Sequence, residues 1–317
     1  MAKYTAIGGQ ALIEGIMMKS PEKTALCVRT PDGSIDTSFL EQKSIKEKFK
    51  ILKLPVVRGV VGFAESMIQG YKAMMLSADK SGFTDLEDAE TDKKDTNAFI
   101  GAVMALGTVL GLALSLVLFM YLPRLFVSGL GWLFSTEISS KLLRSSIEQF
   151  IKLSIFVLYV WCVSFMKDIK RVFMYHGAEH KTIFCYEKGL PLTVENVKKQ
   201  SRFHPRCGTS FMILMILISI VLSTVLQIIF PGVYAVKWLW VVAKILMIPL
   251  TCGVGYEVLK ICGRYENLFT RIISAPGMWL QRLTTKEPED DMIEIAIAAL
   301  KACEPKIPDV ERNNDNI

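Results

Sequence analysis

All three histidines of the chain, His176, His180 and His204, fall within one stretch that ends at Cys207. The first part reads His176-Gly177-Ala178-Glu179-His180-Lys181, and the second His204-Pro205-Arg206-Cys207-Gly208-Thr209-Ser210. On a helix, positions three and four apart share a face, so His176, Glu179 and His180 project together. H-x-x-E-H is the inverted zincin order, two imidazole ligands with a carboxylate beside them. Pro205 and Gly208 break regular structure, which lets a loop turn His204 and Cys207 toward the same point. A His₃, His₃Cys or His₂Cys set suits a divalent transition metal, zinc first. With an open position, such an ion makes a bound water acidic, and Glu179 becomes the catalytic base. Two other chemistries fit the same residues. The histidines can hydrogen-bond to Glu179, backbone carbonyls and lipid phosphate with no metal, or Cys207 can be a nucleophile with His204 or His180 as base and Arg206 holding its thiolate.

The stretch sits between strongly apolar segments, and half of the chain is apolar (51%), which points to an integral membrane protein rather than a soluble one. Four runs match the ~20 helical residues that a bilayer core requires: Ala98 to Leu122, Ile147 to Met166, Phe211 to Phe230 and Val233 to Tyr256. The glycine-broken piece between Phe126 and Phe134 is expected to be interfacial or re-entrant. Pro231-Gly232 joins the last two runs as a tight turn, making them antiparallel neighbours. Lysines and arginines concentrate between the second and third runs, and the positive-inside rule therefore places both termini and the His/Cys loop (167–210) in the cytosol of a multi-pass membrane protein. If the second run continues as one helix past Met166, His176 lies roughly 15 Å beyond it, at the headgroups. Within the fourth run Lys244 is read as a structural or snorkelling lysine.

The rest of the chain reads as cytosolic cover. Tyr4 to Ile7, Ala25 to Arg29 and Ser34 to Phe39 carry strand signals, the last two joined by a Pro31-Asp32-Gly33 turn. Gly8-Gly9-Gln10-Ala11-Leu12-Ile13-Glu14-Gly15 surrounds an amide and an acid with three glycines, either for close backbone approach or as turns framing an edge strand. A helical period runs from Glu41 until Pro55 interrupts it, and a second helix is expected from Val56 to about Leu76, packed on the core or along the membrane. Residues 84–97 form a solvated linker rich in acids and lysines. A helix continues from the fourth run through Glu257, Lys260 and Arg264. Another starts near Thr285 to Asp291 and docks through Met292, Ile295 and Leu300. Asn313 to Asn316 is a frayed tail. The expected units are thus 1–83, an α+β cytosolic domain; 84–97, a linker; 98–256, the four-helix membrane domain; and 257–317, C-terminal cytosolic helices.

Partner classes narrow accordingly. The net charge of +6 is spread among acids without a basic stripe, which argues against nucleic acid. Seven cysteines without C-x-x-C spacing argue against a disulfide framework. No apolar signal core follows Met1-Ala2-Lys3-Tyr4, so no cleavable secretory signal is expected.

Four motifs together, Gly8 to Met18, His176 to Lys181, His204 to Ser210 and Pro276-Gly277-Met278-Trp279-Leu280-Gln281-Arg282-Leu283-Thr284-Thr285, resemble the YqhQ-like family of bacterial membrane proteins. The resemblance covers nearly the whole chain. It implies a metal-dependent enzyme of undefined substrate and groups Gln10 and Glu14 with His176, Glu179, His180, His204 and Cys207. The expectation is an α-helical integral membrane protein with a small α+β cytosolic domain, bearing a hydrolytic metal site at the cytosolic surface. The rival is a membrane assembly or scaffold protein with a structural metal or a hydrogen-bonded histidine cluster, in contact with the bilayer and a membrane-protein partner. Transport ranks third.

Overall fold

In Gly15–Lys19 and Thr24–Arg29 apolar side chains fill successive positions, so the pleat sends them to both faces and both need cover. These strands, β2 and β3, are the centre of an antiparallel meander in the order β1 (Gly8–Leu12), β2, β3, β4 (Ile35–Leu40). The computed structural model describes residues 7–42, 44–45, 49–82, 106–133, 141–265 and 267–304. The expected strand at Tyr4 to Ala6, the linker 84–97, the start of the first apolar run and the tail lie outside them. The helices are α1 (Val57–Lys80), α2 (106–133, with a π turn at Val117–Tyr121), α3 (Lys141–Val163) and α4 (Lys167–Glu187). There follow α5 (Val194–Lys198), α6 (Gly208–Ile229), α7 (Pro231–Ala235), α8 (Lys237–Arg264), α9 (Leu268–Thr284) and α10 (Asp290–Cys303).

Ile16, Met18, Ala25 and Cys27 face one way and pack with Tyr175 and Ala178 of α4 and with Met292, Ile295 and Leu300 of α10. Met17, Leu26 and Val28 face the other way, against Ala73 of α1. The sheet is therefore a middle layer whose two covers come from distant parts of the chain. The first half of α1 instead meets α8, where Arg58 grips Glu257 through Nε at 2.7 Å and Nη2 at 2.5 Å.

Four helices are long and apolar enough to cross a membrane: Leu106–Gly129, Leu143–Val163, Gly208–Ile229 and Trp238–Cys262. The structure corrects several sequence expectations. The piece after Phe126 is no separate element but the continuation of α2. Pro123 cannot donate to the carbonyl one turn back, and the ladder shifts to the π register, with the Leu122 N–H bonded to the Val117 carbonyl. The second apolar helix does not run on to His176, because the chain turns at 164–166 and α4 starts afresh at Lys167. Of the helical period expected after Glu41, residues 43 and 46–48 lie outside the described ones, and Lys50–Lys53 forms a 3₁₀ turn with Phe49 and Ile51 exposed. The last helix begins at Asp290, within the expected start at Thr285 to Asp291. The Lys286 N–H donates to the Phe173 carbonyl and keeps the segment before it extended along α4. Gly15–Lys19 had not been expected as a strand.

That extended segment lies on Gly177, where an added Cβ would collide with the Lys286 carbonyl oxygen. Gly177→Ala is expected to lower stability by about 1–3 kcal/mol, through displacement of backbone that cannot rotate away. Gly107→Ala, with open space around it, is expected to be neutral or to stabilise by up to about 1 kcal/mol. Detergent-solubilised thermal unfolding of the two variants compares them directly.

Candidate metal centre

Helix α4 places His176 and His180 one turn apart, their ring centroids 4.4 Å from each other. Each ring is tied down through Nδ1, which lies 2.8 Å from the Thr284 carbonyl oxygen in His176 and 2.5 Å from the Arg202 carbonyl oxygen in His180. A carbonyl only accepts, so Nδ1 carries the proton in both rings and a neutral ring offers its lone pair at Nε2. His176 Nε2 lies 3.1 Å from Cys207 Sγ. His180 Nε2 is buried and has no hydrogen-bond partner. The ligand atoms of His176, His180 and Cys207 all lie within 4.8 Å of one another, and all three residues are buried.

Cys207 is the N-cap of α6, its sulfur accepting the Thr209 N–H at 3.4 Å. Burial pushes its thiol pKa up, but His176 and His180 outweigh this and hold it well below the usual thiol value. The N-terminus of a 22-residue helix favours the same anion. Burial depresses the His176 pKa, yet the adjacent Cys207 sulfur, Glu179 and the Thr284 carbonyl more than compensate and raise it to about 9. Both shifts run in the direction of an imidazolium–thiolate pair.

Glu179 is buried beside this group, and its carboxylate takes a hydrogen bond from the Gly9 N–H. A Cβ on Gly9 would stand 2.9 Å from the Glu179 carboxyl carbon, so only glycine lets the β1 backbone close over that side. Burial raises the Glu179 pKa, partly offset by His176 and His180.

The other sequence-selected residues lie around the group rather than in it. His204 stacks near Phe184, with centroids 4.6 Å apart, and its Nε2 faces Glu187 at 3.8 Å. Burial lowers its pKa. Arg206 pairs with Glu187. Glu14, in the β1–β2 turn with φ 50°, binds Arg171 and accepts from the hydroxyl of Tyr175, the residue before His176, at 3.1 Å. Gln10 points to the opposite face of the sheet, against Gly70 of α1.

Sequence reasoning gave no site role to Gln281, which is fully buried. Its side chain accepts the His204 N–H at 2.7 Å and donates to the His204 carbonyl at 2.7 Å and to Ser210 Oγ at 2.8 Å. Gln281 and Thr284 both belong to the motif between Pro276 and Thr285, which was noticed as a pattern but carries no ligand-type side chain.

A family model described as "Protein of unknown function (DUF1385)" matches residues 54–306. A protein of Bacillus subtilis (strain 168), named Uncharacterized protein YqhQ, is 35% identical over 296 residues, covering 92% of this chain and 90% of its own. No solved structure matches.

Metal-free protein at neutral pH is expected to show ultraviolet thiolate absorbance that disappears in Cys207→Ser and weakens in His176→Gln. The raised His176 pKa adds stability that is complete below the ordinary histidine value and is lost as pH rises through about 9. Cys207, held below its usual value, contributes the opposite slope over the same range, because there the unfolded chain carries on the thiol the proton that the folded chain carries on His176; unfolding midpoints of metal-free wild type are accordingly expected to change little across that range.

Proposed function

We propose that this chain, which belongs to the DUF1385 family, is a multi-pass bacterial membrane protein that holds a divalent transition metal and uses it in hydrolysis at the cytosolic membrane surface. The carrying observation is the pair of imidazoles, each fixed through Nδ1 to a carbonyl with Nε2 turned toward a sulfur, one of them buried without a partner. Buried polar atoms are rarely left unpaired, and this donor set suits zinc. When bound, a zinc ion supplies Lewis acidity at the position that three protein ligands leave open. Glu179, buried beside His176 and His180, would be the proton acceptor for such a site, since a carboxyl whose pKa is raised by burial moves toward the range where it can take and return a proton near neutral pH.

The remaining residues then have positioning roles. Gln281 holds the His204 backbone and with it the loop that presents Cys207. Arg206 and Glu187 neutralise each other behind it. Glu14 locks the β1 hairpin onto α4, and Gln10 seats the same strand on α1. The basic segment 167–206 supports a cytosolic location for this site and for both termini. Units at 1–83, 84–97, 98–256 and 257–317 belong to the same reading. Contact with the bilayer is supported by the four apolar helices and by α9, which exposes Leu268, Phe269, Ile272 and Trp279.

One observation favours a second reading. All three ligand residues are closed off from solvent, and they tie α4 to the 202–207 loop, as a structural metal in an assembly protein with a membrane-protein partner would. The two readings separate in one set of variants. Elemental analysis of detergent-purified protein is expected to give near-stoichiometric metal in wild type, loss in His180→Ala and Cys207→Ala, and retention in His204→Ala and Glu179→Gln. Against a panel of ester and phosphoester substrates, Glu179→Gln is expected to lose about 10²–10⁴-fold in turnover. Metal-free wild type would sink both readings. Metal with no Glu179-dependent hydrolysis would leave the structural one.

A further inference from the structure

The chain enters α1 through an elbow that lies among the apolar helices rather than beyond their ends. Val56, at its tip, has φ 68°, which a β-branched residue takes only where its surroundings impose it. Helix α8 supplies the close contact. An added Cβ on Gly253 would collide with the side chain, Cα and carbonyl oxygen of Val56, and one on Gly59 would collide with Gly253 and Tyr256. Gly253 lies roughly 5 Å inside the apolar run that ends at Tyr256, and roughly 14 Å inside the helical span that ends at Cys262. By either measure the tip is inside the hydrocarbon layer, whose half-thickness is about 15 Å.

Both limbs of the elbow are anchored. Past the tip, the Phe63 ring centroid lies 5.6 Å from that of Phe211 in the first turn of α6. Cys207 caps that turn, so the elbow is on the metal centre's side of the bundle. On the limb before the tip, the Glu65 carboxylate accepts the Ile45 N–H at 2.8 Å and the Ser44 hydroxyl at 3.0 Å, which holds the start of that limb beside the third turn of α1. Arg58, just past the tip, is neutralised by Glu257, as a charge at that depth requires.

Ile45, Phe49, Ile51 and Leu54 on the first limb are each more than half exposed, and Lys50 and Lys53 alternate with them on the surface. Apolar side chains with lysines between them are the composition of an interfacial segment. The apolar groups enter lipid, and the lysine stems carry their charge back to the headgroups. We infer that residues 49–56 and the first turns of α1 form an elbow inserted into the bilayer leaflet on the metal centre's side, with Lys50 and Lys53 paired to anionic phospholipid headgroups. The inference rests on reading the apolar helices as spans and is independent of the metal.

The test attaches a nitroxide label to single introduced cysteines of the full chain, in a background where the exposed Cys162 is changed to serine, and in nanodiscs of phosphatidylcholine with phosphatidylglycerol. Collision with oxygen reports lipid, and collision with a water-soluble nickel chelate reports water. Labels at Ile51→Cys and Leu54→Cys are expected to show an oxygen-to-nickel ratio severalfold above that at Asp79→Cys, on the exposed far end of α1. Val221→Cys, exposed in the middle of α6, calibrates lipid. A ratio at both elbow positions equal to that at Asp79→Cys would overturn the insertion. Shielding from both reagents would also overturn it, since protein, either residues 83–105 or a second copy, would then be the cover. Omitting phosphatidylglycerol is expected to lower the ratio at Ile51→Cys, as is adding Lys50→Gln/Lys53→Gln, and no change in either would overturn the pairing of the lysines with anionic lipid. Nickel access at Val221→Cys would instead overturn the membrane reading beneath the inference.

Discussion

The centre depends on two hydrogen bonds from imidazole Nδ1 to backbone carbonyls. They set which nitrogen of each ring carries the proton, and so they set which one is left as a donor atom. Neither carbonyl lies on the helix that carries the histidines. Thr284 ends α9, and Arg202 belongs to the loop before α6. The chemistry of α4 is therefore decided by two other segments, and everything that holds those segments in place is part of the site.

Much of the buried polar structure serves that purpose. Gln281 satisfies both the N–H and the carbonyl of His204, which leaves the loop between Arg202 and Cys207 little freedom to shift. Glycine at 177 lets the chain after α9 lie directly on α4, and glycine at 9 lets β1 close over Glu179. Lys181, buried, donates to the Lys198 carbonyl at 2.9 Å and meets Glu287 at 2.8 Å, tying α5 and the segment before α10 to the same helix. The histidines occupy a junction between the membrane helices and the sheet, where neither body could hold them alone.

The sequence made the ligand types legible because they are rare. Three histidines in one stretch, with helical spacing between two of them, locate His176, His180 and Cys207 without a structure. The four apolar runs are legible for a similar reason, since uninterrupted hydrophobicity has few other uses. Other features were hidden because their signals are local while their causes are tertiary. The order H-x-x-E-H cannot say which carbonyl each ring will meet, and nothing local says that the ring of His204, 5.6 Å from that of His180, will turn its Nε2 toward Glu187. Glutamine and threonine carry no signature of a positioning role, so Gln281 and Thr284 appeared only as part of a pattern. The strand Gly15–Lys19 was missed because apolar residues at successive positions signal a strand buried on both sides only once both covers are known.

The layering of the sheet also bears on how the protein is made. Ile16, Met18 and Cys27 are covered by Met292, Ile295 and Leu300, which leave the ribosome more than 250 residues later. All four apolar helices must emerge between those two events. During synthesis the inner face of the sheet waits uncovered while the bundle inserts, and the segment that bears Thr284 arrives only shortly before the helix that closes the core. The face of the sheet that packs on α10 can therefore close only after all four apolar helices have been made, and a chain truncated before α10 would leave that face bare.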